Sequence, residues 1–191
     1  MAGNQRSPWR RRVGRRGFTL VELAFGITIL IVGVLGFAQT LVSMERAQMR
    51  TREAGRATEA ARAMLERIQA EAFPEAFRRY NDLPDDDPGG AGTAPGALFA
   101  VPGLSPRPGD ADGFVGRVIF PSPPGSPGEL RESVVDAALG MPRDLNGDGV
   151  IHATASYATD YEILPVRVRV EWLSAAGAGQ VELSTVLGNY R

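Results

Sequence analysis

The chain has 191 residues, enough for one ordinary domain with an attached segment but too few for two full-sized cores. Hydrophobic residues make up 43% of the chain and charged residues 23%, values that exclude a disordered or collagen-like protein. Since Cys is absent, disulfides, thiolate nucleophiles and zinc sites built on Cys are also excluded.

The formal charge of −1 is the sum of two unlike parts. All 21 cationic side chains are Arg, and six of them lie within the first 17 residues, where no acid occurs. The rest of the chain has 15 Arg against 22 acidic residues, a net charge of −7. Because a domain that binds nucleic acid normally presents a basic surface, we predict no nucleic-acid partner for the folded domain.

An apolar segment of 27 residues runs from Phe18 to Met44, and its only ionisable side chain is Glu22. About 20 apolar residues suffice to cross a bilayer, so residues 18–44 are predicted to form a transmembrane helix. The basic stretch before it favours a cytoplasmic N-terminus and export of the remainder. A secretory signal peptide is the alternative, but the apolar run exceeds the usual ~7–15 residues and no A-x-A-like site follows it.

Glu22 is unusual because a carboxylate within an apolar helix is costly unless it pairs with a cation, takes up a proton or stays near the membrane surface. It lies only four residues after the start of the apolar segment. The sequence therefore leaves two interpretations open. Either Glu22 receives a partner cation, or its side chain reaches back to the interface.

Residues 15–23 read Arg-Arg-Gly-Phe-Thr-Leu-Val-Glu-Leu. This stretch resembles the class III signal of type IV prepilins and type II secretion pseudopilins, and the resemblance covers the leader and the apolar helix. It implies that a prepilin peptidase removes residues 1–17 by cleaving between Gly17 and Phe18, and that the new amino group of Phe18 is methylated. It also implies that Glu22 accepts the N-terminal amine of a neighbouring subunit during filament assembly.

The resemblance further implies a location and a set of partners. The chain is expected to be a single-pass protein of the inner membrane, with a cytoplasmic N-terminus and a periplasmic C-terminal domain, before it enters a pilus or pseudopilus. The implied partners are other pilin or pseudopilin subunits, the prepilin peptidase, the inner-membrane assembly platform and the lipid bilayer.

Residues 45–80 are rich in Ala, Glu, Arg and Gln, with apolar side chains at helical spacing. This pattern predicts an amphipathic periplasmic helix that continues the transmembrane helix. Its end is predicted at Pro74, with a short turn over residues 75–80. The charged side chains of residues 53–71 are predicted to form a solvated, ion-paired face without a chemical role.

Residues 81–130 contain ten Pro and ten Gly, a composition that predicts variable surface loops. Within them only Gly113–Phe120 has the pattern of a short strand, which Pro121 ends.

Two stretches of the predicted C-terminal β-domain, residues 131–191, alternate apolar and polar side chains. The apolar face of the first is formed by Val166, Val168, Val170 and Trp172. After a loop at Ala175–Gly179, the second presents Val181, Leu183, Thr185 and Leu187. The pair predicts an antiparallel hairpin packed on a helix stripe of Met64, Leu65 and Ile68. The expected fold is therefore α+β, with a long N-terminal helix against a small antiparallel sheet, and the resemblance implies that this fold is pilin-like.

Residues 144–155 begin Asp-Leu-Asn-Gly-Asp-Gly, which matches the start of an EF-hand or dockerin-like calcium loop. The candidate ligands are Asp144, Asn146, Asp148 and the carbonyl of Val150. Position 12 of the loop, where a bidentate Glu completes such a site, is Ala155, and Asp160 or Glu162 replaces it only if the chain folds back. Asn and Asp before Gly are also frequent in plain turns, so calcium and a metal-free turn stay open as alternatives.

No enzyme activity is predicted, because the chain has one His, no Cys and no Lys, and lacks nucleophile-elbow, phosphate-loop and dinucleotide motifs. The resemblance implies a structural subunit, a minor pilin or pseudopilin of a type IV pilus or type II secretion pseudopilus. The alternative is a single-pass membrane anchor that displays a periplasmic binding module and never polymerises.

Overall fold

The computed structural model describes residues 17–189, so the predicted leader lies outside the described residues except for Gly17. The elements are the helices α1 and α2, the strands β1 to β4, and two short 3-10 helices at Pro84–Asp86 and Ala137–Leu139. The bounds are Leu20–Ala70 for α1, Phe73–Tyr80 for α2, Leu98–Phe99 for β1, Gly116–Ile119 for β2, Ile163–Ser174 for β3 and Gly177–Gly188 for β4. Two compact units divide the chain, one up to Met44 and one from Glu45 onward.

The first unit is the apolar part of α1. Every residue from Gly17 to Met44 is exposed, and an 18-residue window here has a mean hydropathy of 2.4. This is the one helix among the described residues whose length and composition allow it to cross a membrane, as predicted for residues 18–44.

The second unit contains a sheet of four strands in the order β1-β2-β3-β4, with every neighbouring pair antiparallel. The predicted hairpin is β3 and β4, which pair from Ile163–Gly188 to Ser174–Gly177. The turn between the two strands consists of Ala175 and Ala176. The next residue, Gly177, has a φ of 115°, a value that favours glycine. The predicted loop at 175–179 is therefore too long, because β4 begins at Gly177.

Gly179 shows why a glycine belongs inside this strand. It pairs with Trp172 across the hairpin, and a Cβ at Gly179 would lie within 2.2–2.8 Å of indole ring atoms. The indole thus lies directly over the glycine backbone, which no larger residue permits. The sequence pattern assigned the small residues to a loop because this close approach is not visible in it.

The core of the second unit lies between the helix and the sheet. Its helix side is formed by Ala57, Ala61, Met64 and Ile68, and Leu65 packs against it half-buried. The strand side is formed by Val118, Val166, Val168, Val170 and Trp172. The predicted α+β arrangement and its packing stripe are confirmed.

The predicted helix end differs from the structure. Helix α1 ends at Ala70, and Pro74 lies in the first turn of the separate helix α2, which buries Phe77 and Tyr80. A Pro in a first turn loses no intrahelical hydrogen bond, so it starts this helix instead of stopping the previous one.

The sheet also extends beyond the predicted β-domain of residues 131–191. The strand predicted at 113–120 is the shorter β2, and the unpredicted β1 pairs with it through Leu98 and Arg117. Residues 131–162 contain the 3-10 helix at 137–139 and otherwise loops.

Candidate processing and assembly site

The Gly17–Phe18 peptide bond lies in exposed, non-helical chain just before α1. Phe18 is 82% exposed, and the helix begins two residues later at Leu20. A peptidase binds its substrate in an extended form and cannot cleave a peptide bond inside a helix. The predicted cleavage point is therefore accessible in this chain.

Thr19 caps the N-terminus of α1. Its Oγ1 accepts a hydrogen bond from the backbone N–H of Glu22 at 3.2 Å, and its carbonyl accepts one from Leu23 at 3.1 Å. Glu22 occupies the third helical position after this cap, where a negative charge interacts favourably with the helix dipole. The Thr19 cap thus fixes the position of Glu22 in the first turn of the helix.

The Glu22 carboxylate makes no hydrogen bond or ion pair with any residue between 17 and 189. It borders an open groove of about 240 Å³ along one side of the helix. The lining consists of Phe18, Glu22, Leu23, Gly26, Ile27 and Leu30. A Cβ at Gly26 would meet nothing within 4 Å, so no described residue fills this apolar groove with its one acid.

The predicted calcium loop is closed by its own hydrogen bonds. The two carboxylate oxygens of Asp144 accept from the N–H groups of Gly147 and Gly149, both at 2.7 Å. Asp148 accepts from the N–H of Val150 at 2.8 Å and from the side chain of Asn146 at 3.1 Å. The bond from Val150 is the main reason why the pKa of Asp148 is lowered.

Glu162 is the residue that folds back toward this loop, as one of the two predicted substitutes for position 12. Its N–H donates to the carbonyl of Leu145 at 2.8 Å, and its Oε2 lies 2.9 Å from the position of a Cβ at Gly147. Within residues 17–189 no group of three or more His, Asp or Glu side chains is arranged to hold a metal ion. The calcium site stays a prediction.

Glu132 is a structural residue that sequence reasoning missed. It is fully buried, and its two carboxylate oxygens accept from the N–H groups of Leu145 at 2.7 Å and His152 at 2.8 Å. It therefore holds both ends of the loop that contains the candidate calcium ligands. The sequence offers no signal for this role, because Glu132 lies between Arg131 and Ser133 in a polar stretch.

Comparison with family models, curated proteins and solved structures found no significant match to this chain.

Proposed function

We propose that the chain is a minor pilin or pseudopilin, a structural subunit of a type IV pilus or type II secretion pseudopilus, processed after Gly17 and assembled through its N-terminal helix. The observation that carries the proposal is the Glu22 carboxylate, which has no partner within residues 17–189 although it belongs to an apolar helix. A cation stabilises an acid in that environment. The resemblance supplies one in the N-terminal amine of a neighbouring subunit.

The exposed apolar surface of the helix supports an assembling protein. Its large apolar side chains from Phe18 to Met44 are between 47% and 84% exposed in the isolated chain. Burying one such side chain contributes roughly 1.5–3 kcal/mol, so the segment requires lipid or the apolar helices of other subunits. A bilayer holds it first, and a filament core replaces the bilayer on assembly.

Processing and assembly are coupled in this proposal. Before cleavage the nitrogen of Phe18 is part of a neutral peptide bond with Gly17, whereas cleavage converts it to an amine that is positively charged at neutral pH. Methylation of that amine keeps the charge. The cation that Glu22 of the next subunit needs is thus created only by the peptidase, and unprocessed chains stay in the membrane.

The proposed location is the inner membrane, with the acidic domain from Glu45 onward in the periplasm, followed by the pilus or pseudopilus. The proposed partners are other pilin or pseudopilin subunits, the prepilin peptidase and the inner-membrane assembly platform. The role is mechanical, and calcium at residues 144–155 is the one candidate cofactor.

The test is the intact mass and N-terminal residue of the membrane-expressed protein, made with and without an active prepilin peptidase. We expect loss of residues 1–17 and a methylated Phe18 only when the peptidase is active. The variant G17V is expected to stay uncut, because a branched side chain next to the scissile bond blocks close approach to the backbone. G14V is the matched control, since it changes another glycine of the leader and leaves the bond itself intact.

The single-pass anchor without polymerisation is the competing outcome of this test. A chain that keeps Met1 in both strains overturns the filament proposal and favours that anchor. A chain that loses the whole apolar segment in both strains identifies a secretory signal peptide instead.

A further inference from the structure

Four arginines follow the apolar segment within a little over three helical turns. Arg46, Arg50, Arg52 and Arg56 belong to α1, and all four are exposed. The same stretch, residues 45–56, contains only the acids Glu45 and Glu53, so its net charge is +2. Residues 57–191 carry 11 Arg and 19 acids, a net charge of −8, so this basic cluster stands out from an acidic domain.

None of the four arginines has a carboxylate within ion-pair distance among residues 17–189. The nearby Glu53 is engaged elsewhere, because its Oε2 accepts from Trp172 and Ser174. The guanidinium of Arg50 is fixed by a hydrogen bond from Nε to the carbonyl of Ala176 at 2.6 Å. The positive charge of the cluster is therefore not balanced within the domain.

The spacing of the arginines adds a second observation. Arg46 and Arg50 are four residues apart on one side of the helix, and Arg52 and Arg56 are four residues apart on another. Like charges at this spacing repel each other and destabilise a helix. An anion held between the two guanidinium groups of a pair removes the repulsion and gives charge-assisted hydrogen bonds with both.

The distance from the apolar segment identifies the anion. Arg46, Arg50 and Arg52 follow Met44 by two, six and eight residues, roughly 3, 9 and 12 Å along a helix. Arg56 lies farther away, at roughly 18 Å, and its Nη1 is 2.7 Å from the position of a Cβ at Gly103. About 20 of the 27 apolar residues suffice to cross the hydrocarbon core of a bilayer, so the segment is long enough to place Met44 at the outer edge of that core, next to the headgroups. Long arginine side chains reach back toward the interface, which brings their guanidinium groups to the phosphates.

We propose that Arg46, Arg50 and Arg52 bind the phosphate groups of anionic phospholipids at the exported surface of the membrane. The inference rests on the membrane placement of the proposed function. Bound lipid holds the subunit at a fixed depth before assembly and is released when the helix leaves the bilayer. Duplex DNA is the less suitable polyanion, because it would also meet the acidic domain of residues 57–191.

The test uses the full chain reconstituted in phosphatidylcholine bilayers with trace spin-labelled phosphatidylglycerol or phosphatidylcholine. The electron paramagnetic resonance signal of protein-associated lipid gives the preference between the two. We expect the wild type to prefer phosphatidylglycerol by about fivefold or more, since each cation near an anionic headgroup contributes about 1 kcal/mol. R46Q/R52Q removes two of the three arginines, keeps the Arg50–Ala176 hydrogen bond, and is expected to lose most of the preference.

The matched control is R62Q/R67Q, which removes two exposed arginines of the same helix farther from the apolar segment. It is expected to keep the wild-type preference, and an equal loss in this control overturns the assignment to Arg46, Arg50 and Arg52. Equal association of both lipids with the wild type overturns the proposal. Binding of a labelled DNA duplex to the reconstituted chain, abolished by R46Q/R52Q, assigns the cluster to nucleic acid instead.

Extraction at alkaline pH separates this inference from the proposed function. A chain that leaves the bilayer in carbonate contradicts the membrane placement itself. A chain that stays inserted, and is cleaved after Gly17 in cells, but shows no lipid preference contradicts only the phospholipid inference.

Discussion

Glu53 of α1 and Trp172 of β3 are joined by a hydrogen bond from the indole Nε1 to Glu53 Oε2 at 3.2 Å, across 119 residues of sequence. The hydroxyl of Ser174 donates to the same oxygen at 2.8 Å. A buried indole N–H needs an acceptor, and this half-buried carboxylate supplies it. The prediction that residues 53–71 form only a solvated, ion-paired face is therefore wrong for Glu53, which fastens the helix to the sheet.

E53A removes the acceptor of both donors and is expected to lower the free energy of unfolding by about 1–3 kcal/mol. E53Q keeps a carbonyl oxygen in the same place, so its free energy of unfolding is expected to fall less than that of E53A. The measurement is urea unfolding, in detergent, of the chain without residues 1–17, in which Trp172 is the one tryptophan and its fluorescence follows unfolding. E59A is the control, because Glu59 is exposed on the same helix. Equal effects of E53A and E59A contradict the role of Glu53.

Glu132 gives the second prediction. In E132Q one carboxylate oxygen becomes an amide nitrogen, which faces the backbone N–H of either Leu145 or His152 and leaves that buried donor unpaired. We expect a loss of about 1–3 kcal/mol in unfolding free energy, with faster hydrogen exchange at those two amides. E129Q is the control, since Glu129 is half-exposed and pairs with Arg131. Unchanged exchange at both amides contradicts the anchoring role.

The loop at 144–150 gives the third prediction. Because Asp144 accepts from two backbone N–H groups, D144A is expected to lower the unfolding temperature even in EDTA, with a cost of about 1–2 kcal/mol. The effect of added calcium distinguishes a calcium-binding loop from a metal-free turn. If added calcium raises the unfolding temperature of the wild type but not of D144A, the loop binds the ion. If it shifts neither, the hydrogen bonds alone form the turn.

Tyr80 gives a prediction on pH. Burial, and then the nearby Glu71, raises the pKa of Tyr80 to about 12 from an ordinary value of 10.0. Above pH 10 the unfolded chain loses this proton while the folded chain keeps it, so the free energy of unfolding falls between about pH 10 and pH 12 and is unaffected by this group below that range. Y80F is expected to show a shallower fall, measured by urea unfolding across pH 9–12. A parallel curve for Y80F contradicts the assignment.

The sequence was sufficient for those parts of the fold that follow from local periodicity. The helix is predicted by the apolar segment and by the stripe around Met64 and Ile68, and the hairpin by the alternation around Val168. Both predictions are possible because the spacing of apolar residues along the sequence shows the helical and the strand period. Strand β1 was missed because two residues carry no period. The position of Pro74 was misread because Pro is equally suited to a first turn.

For the candidate functional and structural residues, too, the sequence was informative only where the signal is local. The roles of Glu22 and of the Gly17–Phe18 bond could be proposed from the sequence, because both rest on a motif of neighbouring residues; they stay predictions. Glu53 and Glu132 were not, because each acquires its role from groups far along the chain, Trp172 for Glu53 and His152 for Glu132. In the sequence, an acid that bonds to a distant part of the chain is surrounded by the same kinds of residues as an acid exposed to solvent.

Glu22 itself gives the prediction that bears most directly on the proposed function. E22V leaves the Gly17–Phe18 bond and the apolar helix intact, so processing and membrane insertion are expected to be unchanged. The amine of a neighbouring Phe18 then lacks its counter-charge in an apolar surrounding, a loss of roughly 3–5 kcal/mol for a buried pair that is broken on one side. That corresponds to more than a hundredfold weaker docking.

The measurement is the share of processed subunit that moves from the membrane fraction to the sheared filament fraction when the other filament subunits are present. E22V is expected to stay in the membrane, and E22D, which keeps the charge on a shorter side chain, to recover part of the transfer. E45Q is the matched control, because Glu45 is the next acid along the same helix and lies outside the apolar segment. If E22V enters filaments as well as E45Q, the carboxylate does not receive the amine. Glu22 then acts only at the start of its own helix, with Thr19 as its cap.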